Sequence, residues 1–247
     1  MQRSICMIAF KALFFACLFS FSAQAQTDHS IWTDLLQKHV RVDGLVDYSG
    51  FVADSIELNK YLTELSSFQP TDTRSQEEKL AYWINAYNAF TIKLIVDHFP
   101  VQSIKDIKKG IPFVNSVWDI NFIVIGDDKL SLNDIEHNIL RKEFNEPRIH
   151  FAIVCASMSC PKLRNEAFVS AKLEEQLQTQ TIDFINDPKK NKLSADVFNI
   201  SSIFKWFQAD FANNGDVRAF IAKYSKQSIN PKGKVSYLHY DWNLNGK

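Results

Sequence analysis

Cysteine is scarce in this chain, and what little there is does not form a scaffold. Four cysteines occur in 247 residues. Two of them, Cys6 and Cys17, fall in an amino-terminal stretch that reads as a removable leader. Cys155 and Cys160 remain, which excludes a disulfide framework and leaves one local bridge, a metal pair or a reactive thiol. Charge of either sign is not in surplus. Basic and acidic residues both number 28, and loss of Arg3 and Lys11 with the leader leaves 26 against 28, a net charge of about −2. With no basic excess or stripe, nucleic-acid binding is not expected. Internal repeats and low-complexity tracts are lacking, and glycines are few. The apolar run over 12–23 is about half the length that spans a bilayer, so no retained membrane anchor is expected.

That short run has a different purpose. Arg3 and Lys11 give a positive start, and Ala23-Gln24-Ala25 supplies the small-x-small cleavage pattern. A secretory signal peptide over 1–25 is expected, followed by one globular domain over 26–247 and a secreted or periplasmic location. Phe14 and Phe15 ahead of Cys17 depart from a lipobox, so lipidation is not expected. The rest has the composition of an ordinary globular protein, 46% hydrophobic, with phenylalanine unusually common at 20.

Apolar spacing predicts helices over 31–40 and 55–65, then a long one over 76–98 with Ser75 and Glu78 as a capping box. This long helix is apolar nearly all round and should be central and buried. Asn85 and Asn88 lie on one side of it; buried amides need partners, so they hold a neighbouring loop or a ligand. Residues 118–125 alternate and end at Gly126, a hairpin signal. Ser131 with Asp134 opens a helix over 132–144. There Glu136 falls inside the apolar arc and must be paired or have a raised pKa, with Arg148 as a partner. His137 lies at the edge of the same arc. Further helices are expected over 172–186, 201–211 and 216–224, and strands at 197–200 and 234–240. The class is α+β, a helix-rich single domain with a small, mostly antiparallel sheet.

The stretch of greatest chemical interest is Arg148-Ile-His-Phe-Ala-Ile-Val-Cys-Ala-Ser-Met-Ser-Cys-Pro161. Its apolar start reads as a strand that breaks into a small, polar, cysteine-containing turn before Pro161, which opens a helix. Read as a strand, 149–155 puts His150 and Cys155 on opposite faces. This favours His137, from a separate helix, as the base for a Cys155 nucleophile. Glu136 is rotated about 100° from His137 on an α-helix and is an awkward orienter for it, better suited to a buried ion pair or to polarising a ligand. Asn85 or Asn88 could orient the histidine or stabilise an oxyanion. Cys160 sits nearer the expected helix start and is the fallback nucleophile.

Four blocks together resemble the uncharacterised DUF547 family: Leu80-Ala-Tyr-Trp-Ile-Asn-Ala-Tyr-Asn88, Ile135-Glu-His-Asn-Ile-Leu-Arg141, Arg148 to Cys155 with Ser159-Cys-Pro161, and Tyr240-Asp-Trp242. The resemblance runs from about Trp32 to Trp242. It implies little about activity beyond a likeness to papain- and transglutaminase-type folds, and hence cysteine-hydrolase ancestry. The family's Cys-small-Ser turn matches Cys155-Ala156-Ser157, whereas the position of Cys160 is more often replaceable by serine.

The expectation is a thiol-dependent hydrolase or acyl transferase acting on amide bonds. Cys155 and His137 are its catalytic residues, and Glu136, Asn85, Asn88, Ser157 and Arg148 are its binding residues. The alternative is a non-catalytic envelope binding protein with a structural Cys155–Cys160 pair. His150-x4-Cys155-x4-Cys160 offers soft ligands but lacks the two-residue spacing of structural zinc sites, so no metal and no cofactor are expected. The partner is an envelope peptide, small molecule or protein that the sequence does not specify. His29, His39 and His98 are expected at the surface.

Overall fold

The computed structural model describes residues 27–107, 116–212, 216–230 and 232–246. The leader expected over 1–25 lies outside the described residues. Three helices open the fold: α1 (Ser30–His39), α2 (Tyr48–Ala53) and α3 (Ser55–Ser67). They pack on α4 (Gln76–Val96), and Trp32 of α1 stacks parallel to Tyr61 of α3 with ring centroids 5.6 Å apart. The capping box forms as the sequence requires. Ser75 Oγ accepts from the Glu78 amide at 3.1 Å, and Glu78 Oε2 accepts from the Ser75 amide at 2.9 Å. Such a cap is worth about 1 kcal/mol. Because α4 is apolar around its circumference, it is buried on nearly every side and is the axis of the larger core.

The hairpin signal at Gly126 is also realised. Strands β1 (Ile123–Ile125) and β2 (Asp128–Leu130) pair antiparallel across a turn in which Gly126 takes φ 59°. A π-helix, Asp134–Leu140, follows and runs into α5 (Arg141–Glu143). Its start is the expected one: Ser131 Oγ accepts from the Asp134 amide and Asp134 Oδ2 accepts from the Ser131 amide. The winding is wider than an α-helix, so successive side chains diverge by less than the α-helical angle.

The expected strand over 149–155 does not form. Ile149–Ala152 is a single helical turn, α6, and only from Ile153 is the backbone extended. Propensity favours a strand, but four aromatic or aliphatic side chains in a row satisfy a buried helical turn equally well, and tertiary packing decides. Next come α7 (Leu173–Asn186), β3 (Lys192–Leu193), β4 (Val197–Ile200), α8 (Ile203–Trp206), α9 (Gln208–Ala212), α10 (Val217–Tyr224) and β5 (Lys234–Tyr237). The sheet β3-β4-β5 is antiparallel at β3–β4 and parallel at β4–β5. The helix expected over 201–211 is two short ones that break at Phe207.

The fold is thus helix-rich α+β, with a two-stranded and a three-stranded sheet. Two apolar clusters make the interior. The larger surrounds α4; the smaller is a phenylalanine packing of Phe151, Phe184, Phe204, Phe211 and Phe220, which gives the abundance of that residue its structural use. Cys155 and Trp242 pack against both clusters, so the cysteine turn lies on the seam between them. Two histidines expected at the surface are drawn inward: His39 is buried and bonds Asp54 at 2.7 Å, and His29 bonds the Tyr61 hydroxyl at 2.7 Å.

Candidate active site

The backbone that carries Cys155 is held by α4. Asn88 donates to the Ala152 carbonyl and accepts from the Val154 amide, both at 2.9 Å. One turn earlier, Asn85 does the same to Phe168, at 2.7 Å to its carbonyl and 2.9 Å to its amide. Both amides are fully used on main chain, and neither enters the cavity described below. Of the two roles open to them, bracing of loops is the one the geometry supports. The turn itself is strained: Ala156 takes φ 57°, a left-handed conformation that costs a non-glycine residue about 1–2 kcal/mol. Strain of this kind clusters at functional sites, where surrounding contacts over-determine the backbone.

Cys155 is half-buried and its sulfur has three polar partners: Cys160 Sγ at 3.0 Å, Tyr240 Oη at 3.2 Å and Ser157 Oγ at 3.3 Å. The Cys155 amide also donates to Cys160 Sγ at 2.8 Å. Burial pushes the Cys155 thiol up, but the hydrogen bonds from Cys160, Ser157 and Tyr240 outweigh it and bring the group down to about 7. Cys160 is buried, and burial together with its neighbour pushes it well up. The two cysteines are therefore unequal: Cys155 is the one with thiolate character.

Cys155 opens onto a cavity of about 190 Å³ whose walls include Trp118, Trp206, Phe207, Tyr240 and Trp242. Glu136, His137 and His150 also line it. The π-helix explains how Glu136 and His137, adjacent in sequence, both reach one cavity. Glu136 is buried, and burial pushes its carboxyl up to about 7 although the Tyr87 hydroxyl donates to it at 3.0 Å. Arg148, expected as its partner, is elsewhere. Its guanidinium is spent on Glu146 at 2.6 Å and Glu174 at 2.7 Å, outside the cavity.

The two histidines differ in which ring nitrogen is left free. Arg141 Nη1 donates to His137 Nδ1 at 3.0 Å; since a guanidinium can only donate, the His137 lone pair is occupied and its proton sits on Nε2. Burial and that cation hold His137 below its ordinary value. His137 is thus a donor and a poor base. His150 is the reverse case. Asp210 accepts from His150 Nε2 at 2.7 Å, which fixes the proton there and leaves the lone pair on Nδ1. Nδ1 is buried and has no hydrogen-bond partner among the described residues. Asp210 is held in turn by Arg141, at 2.6 Å from Nε and 2.8 Å from Nη2. Burial works against its ionisation, but the bonds from Arg141 and His150 keep the carboxyl far below the usual range. His150 itself is held low by burial and stacks on Phe207 at 3.9 Å. The alternation that set His150 on the wrong face belongs to a strand that is not there, and His150 and Cys155 line the same cavity. Neither histidine bonds the Cys155 sulfur directly, so a proton passing between them needs a bridging water or substrate group.

Of the residues expected at the site, Cys155, His137 and Glu136 come together; Ser157 supports the sulfur from behind, where it also donates to Tyr240 at 3.4 Å. His150, Asp210, Tyr240 and the aromatic walls join them. Asp210 had one legible signal, a carboxylate on the aromatic amphipathic stretch 201–211. Among the described residues no group of three or more histidine, cysteine or acidic side chains is arranged to hold a metal ion. Likewise, no helix there is long and apolar enough to cross a membrane.

Residues 71–185 match the family DUF547, described as a protein of unknown function. The chain carries a DUF547 domain. No curated protein and no solved structure gives a significant match. The matched stretch contains Tyr87, Glu136, His137, His150, Cys155 and Cys160. Asp210, Tyr240 and Trp242 lie beyond its end, so the DUF547 segment supplies the thiol and both histidines while the carboxyl-terminal part supplies the aspartate and much of the aromatic wall.

Proposed function

We propose that this DUF547 protein is a thiol-dependent hydrolase or acyl transferase acting on amide bonds, with Cys155 as nucleophile and His150 as base. One observation carries the reading: a thiol brought down to about 7 shares a cavity with a histidine that has a bare, buried Nδ1 and an aspartate on its other nitrogen. A nucleophile, a base and an orienting third group are what thiol catalysis requires. The thiol proton passes to His150 Nδ1 through a bridging group, and the thiolate attacks the substrate carbonyl carbon to form a C–S bond. The His137 Nε2–H and the protonated Glu136 carboxyl are the cavity's donors for the oxygen that becomes negative. The C–N bond then breaks, the amine leaves with the proton from His150, and water or a second amine releases the acyl group from sulfur.

A chromogenic ester tests this. p-Nitrophenyl acetate should give stoichiometric release of p-nitrophenolate and an acetyl group on Cys155, located by peptide mass spectrometry. Cys155→Ala should abolish both. Acetylation elsewhere, or none on the native reduced protein, overturns the assignment. A non-catalytic binding protein is the second reading, and the 3.0 Å approach of the two sulfurs favours it: oxidised to a disulfide, Cys155 and Cys160 would simply pin the turn. In that case the untreated protein resists acetylation and remains inert after mild reduction.

We further propose that the protein acts outside the cytoplasm once the leader over 1–25 is removed. The basic start, apolar run and Ala23-Gln24-Ala25 pattern support this. A mature chain beginning at Gln26 is the expected result of amino-terminal sequencing, and retention of residues 1–25 the contrary one.

A further inference from the structure

The cavity in front of Cys155 and the groove behind it differ in chemical character. The cavity side is walled by aromatic rings; of its titratable liners other than the thiols, His137, His150 and Tyr240 are uncharged at neutral pH, and Glu136, raised to about 7, takes up its proton near there. No lysine or arginine lines the cavity; Arg141 is bonded to Asp210 and His137, and Lys105 lies above the Trp242 ring at 3.7 Å. A carboxylate entering here would lose its water with no cation in the lining to replace it. The reverse face of the turn borders a larger groove of about 780 Å³. Cys160 and Pro161 line both spaces, so the turn is the partition between them. Lysines and aspartates line the groove, whereas the cavity lining holds no lysine, arginine or aspartate.

We infer that the substrate is an amide of an uncharged, apolar or aromatic acyl group, seated in the aromatic cavity. This rests on the reading of Cys155 as nucleophile and specifies the acyl side of its substrate. In each half-reaction the bonds balance: the acyl carbon exchanges nitrogen for sulfur with the proton carried off on the amine, and then sulfur for water or a new amine with the proton returned to sulfur.

The test uses the reduced full chain and a series of p-nitrophenyl esters differing only in the acyl group. Phenylacetyl ester should acylate Cys155 at least about ten-fold faster, as kcat/KM, than acetyl ester, since a buried ring removes well over 50 Å² of apolar surface from water. Succinyl ester, with a free carboxylate, should be slower than acetyl by about ten-fold or more. Trp206→Ala should move the phenylacetyl-to-acetyl ratio towards one. Acylation of Cys155 with no preference among acyl groups overturns the inference and leaves the nucleophile standing. Absence of any acylation overturns both.

Discussion

Replacement of Asp210 by asparagine puts the His150 assignment at risk in a way that can be worked out from the contacts. Oδ2 accepts from both Arg141 Nε and His150 Nε2, at 2.6 and 2.7 Å, while Oδ1 accepts only from Arg141 Nη2, at 2.8 Å. An asparagine therefore turns its oxygen to the Oδ2 position, where it satisfies two donors, and its NH2 meets Arg141 Nη2. The His150 tautomer survives but the negative charge beside it does not. Two charge-assisted contacts weaken and one donor faces another; with Asp210 and Arg141 both partly open to water, the expected loss of stability is about 2–4 kcal/mol. Reactivity falls for a separate reason. His150 is buried, and its protonated form depends on the Asp210 anion; removing that anion makes proton uptake from the thiol harder by about 3 kcal/mol, or roughly a hundred-fold in rate. The assay pairs urea denaturation with the burst of p-nitrophenolate on one preparation, and Arg141→Ala is the comparison, since it loosens Asp210 without discharging it. If Asp210→Asn lost stability yet acylated at the wild-type rate, His150 would not be the base.

Other consequences can be checked in the same way. Glu136 is raised to about 7 in the fold against about 4.3 unfolded, so the folded state keeps a proton that the unfolded chain has released. Stability should therefore decline by up to about 3–4 kcal/mol between pH 4 and 7, and Glu136→Gln should remove that decline in urea midpoints taken at pH 4.5 and 8. Asn88→Ala leaves the Ala152 carbonyl and Val154 amide unpaired in the core; a cost of about 2–4 kcal/mol is expected by urea denaturation, together with slower alkylation of Cys155 as the turn loosens. Cys160→Ser keeps a donor and an acceptor beside Cys155, so alkylation of Cys155 should change by less than about ten-fold, whereas a loss beyond a hundred-fold would assign the reaction to Cys160.

Much of the architecture was legible because it rests on local rules. Ser75 with Glu78, Ser131 with Asp134 and Gly126 each name a cap or a turn by direct chemistry, and the all-round apolar character of 76–98 marks a buried axis. The site was legible only in part. Cys155, Glu136 and His137 stand in short blocks that betray buried or reactive groups, and they do share a cavity. The placing of His150 away from Cys155 rested on an extended 149–155, and a run such as Ile-His-Phe-Ala suits a buried helical turn as well as a strand. Asn85, Asn88 and Arg148 illustrate the opposite limit: a polar side chain on an apolar face must have a partner, but sequence does not say whether that partner is a ligand, a main-chain loop or, for Arg148, two nearby carboxylates. The contribution of Asp210, 60 residues from His150, depends on tertiary packing alone.

The most direct measurement of the central claim is the rate of Cys155 alkylation by iodoacetamide as a function of pH, with the modified residue identified by mass spectrometry of the reduced native protein. One fast site, Cys155, is expected, with a midpoint near pH 7 and with Cys160 unmodified until unfolding. A midpoint at or above the ordinary thiol value of about 8.5, or no reaction at Cys155 until the fold is lost, would contradict it.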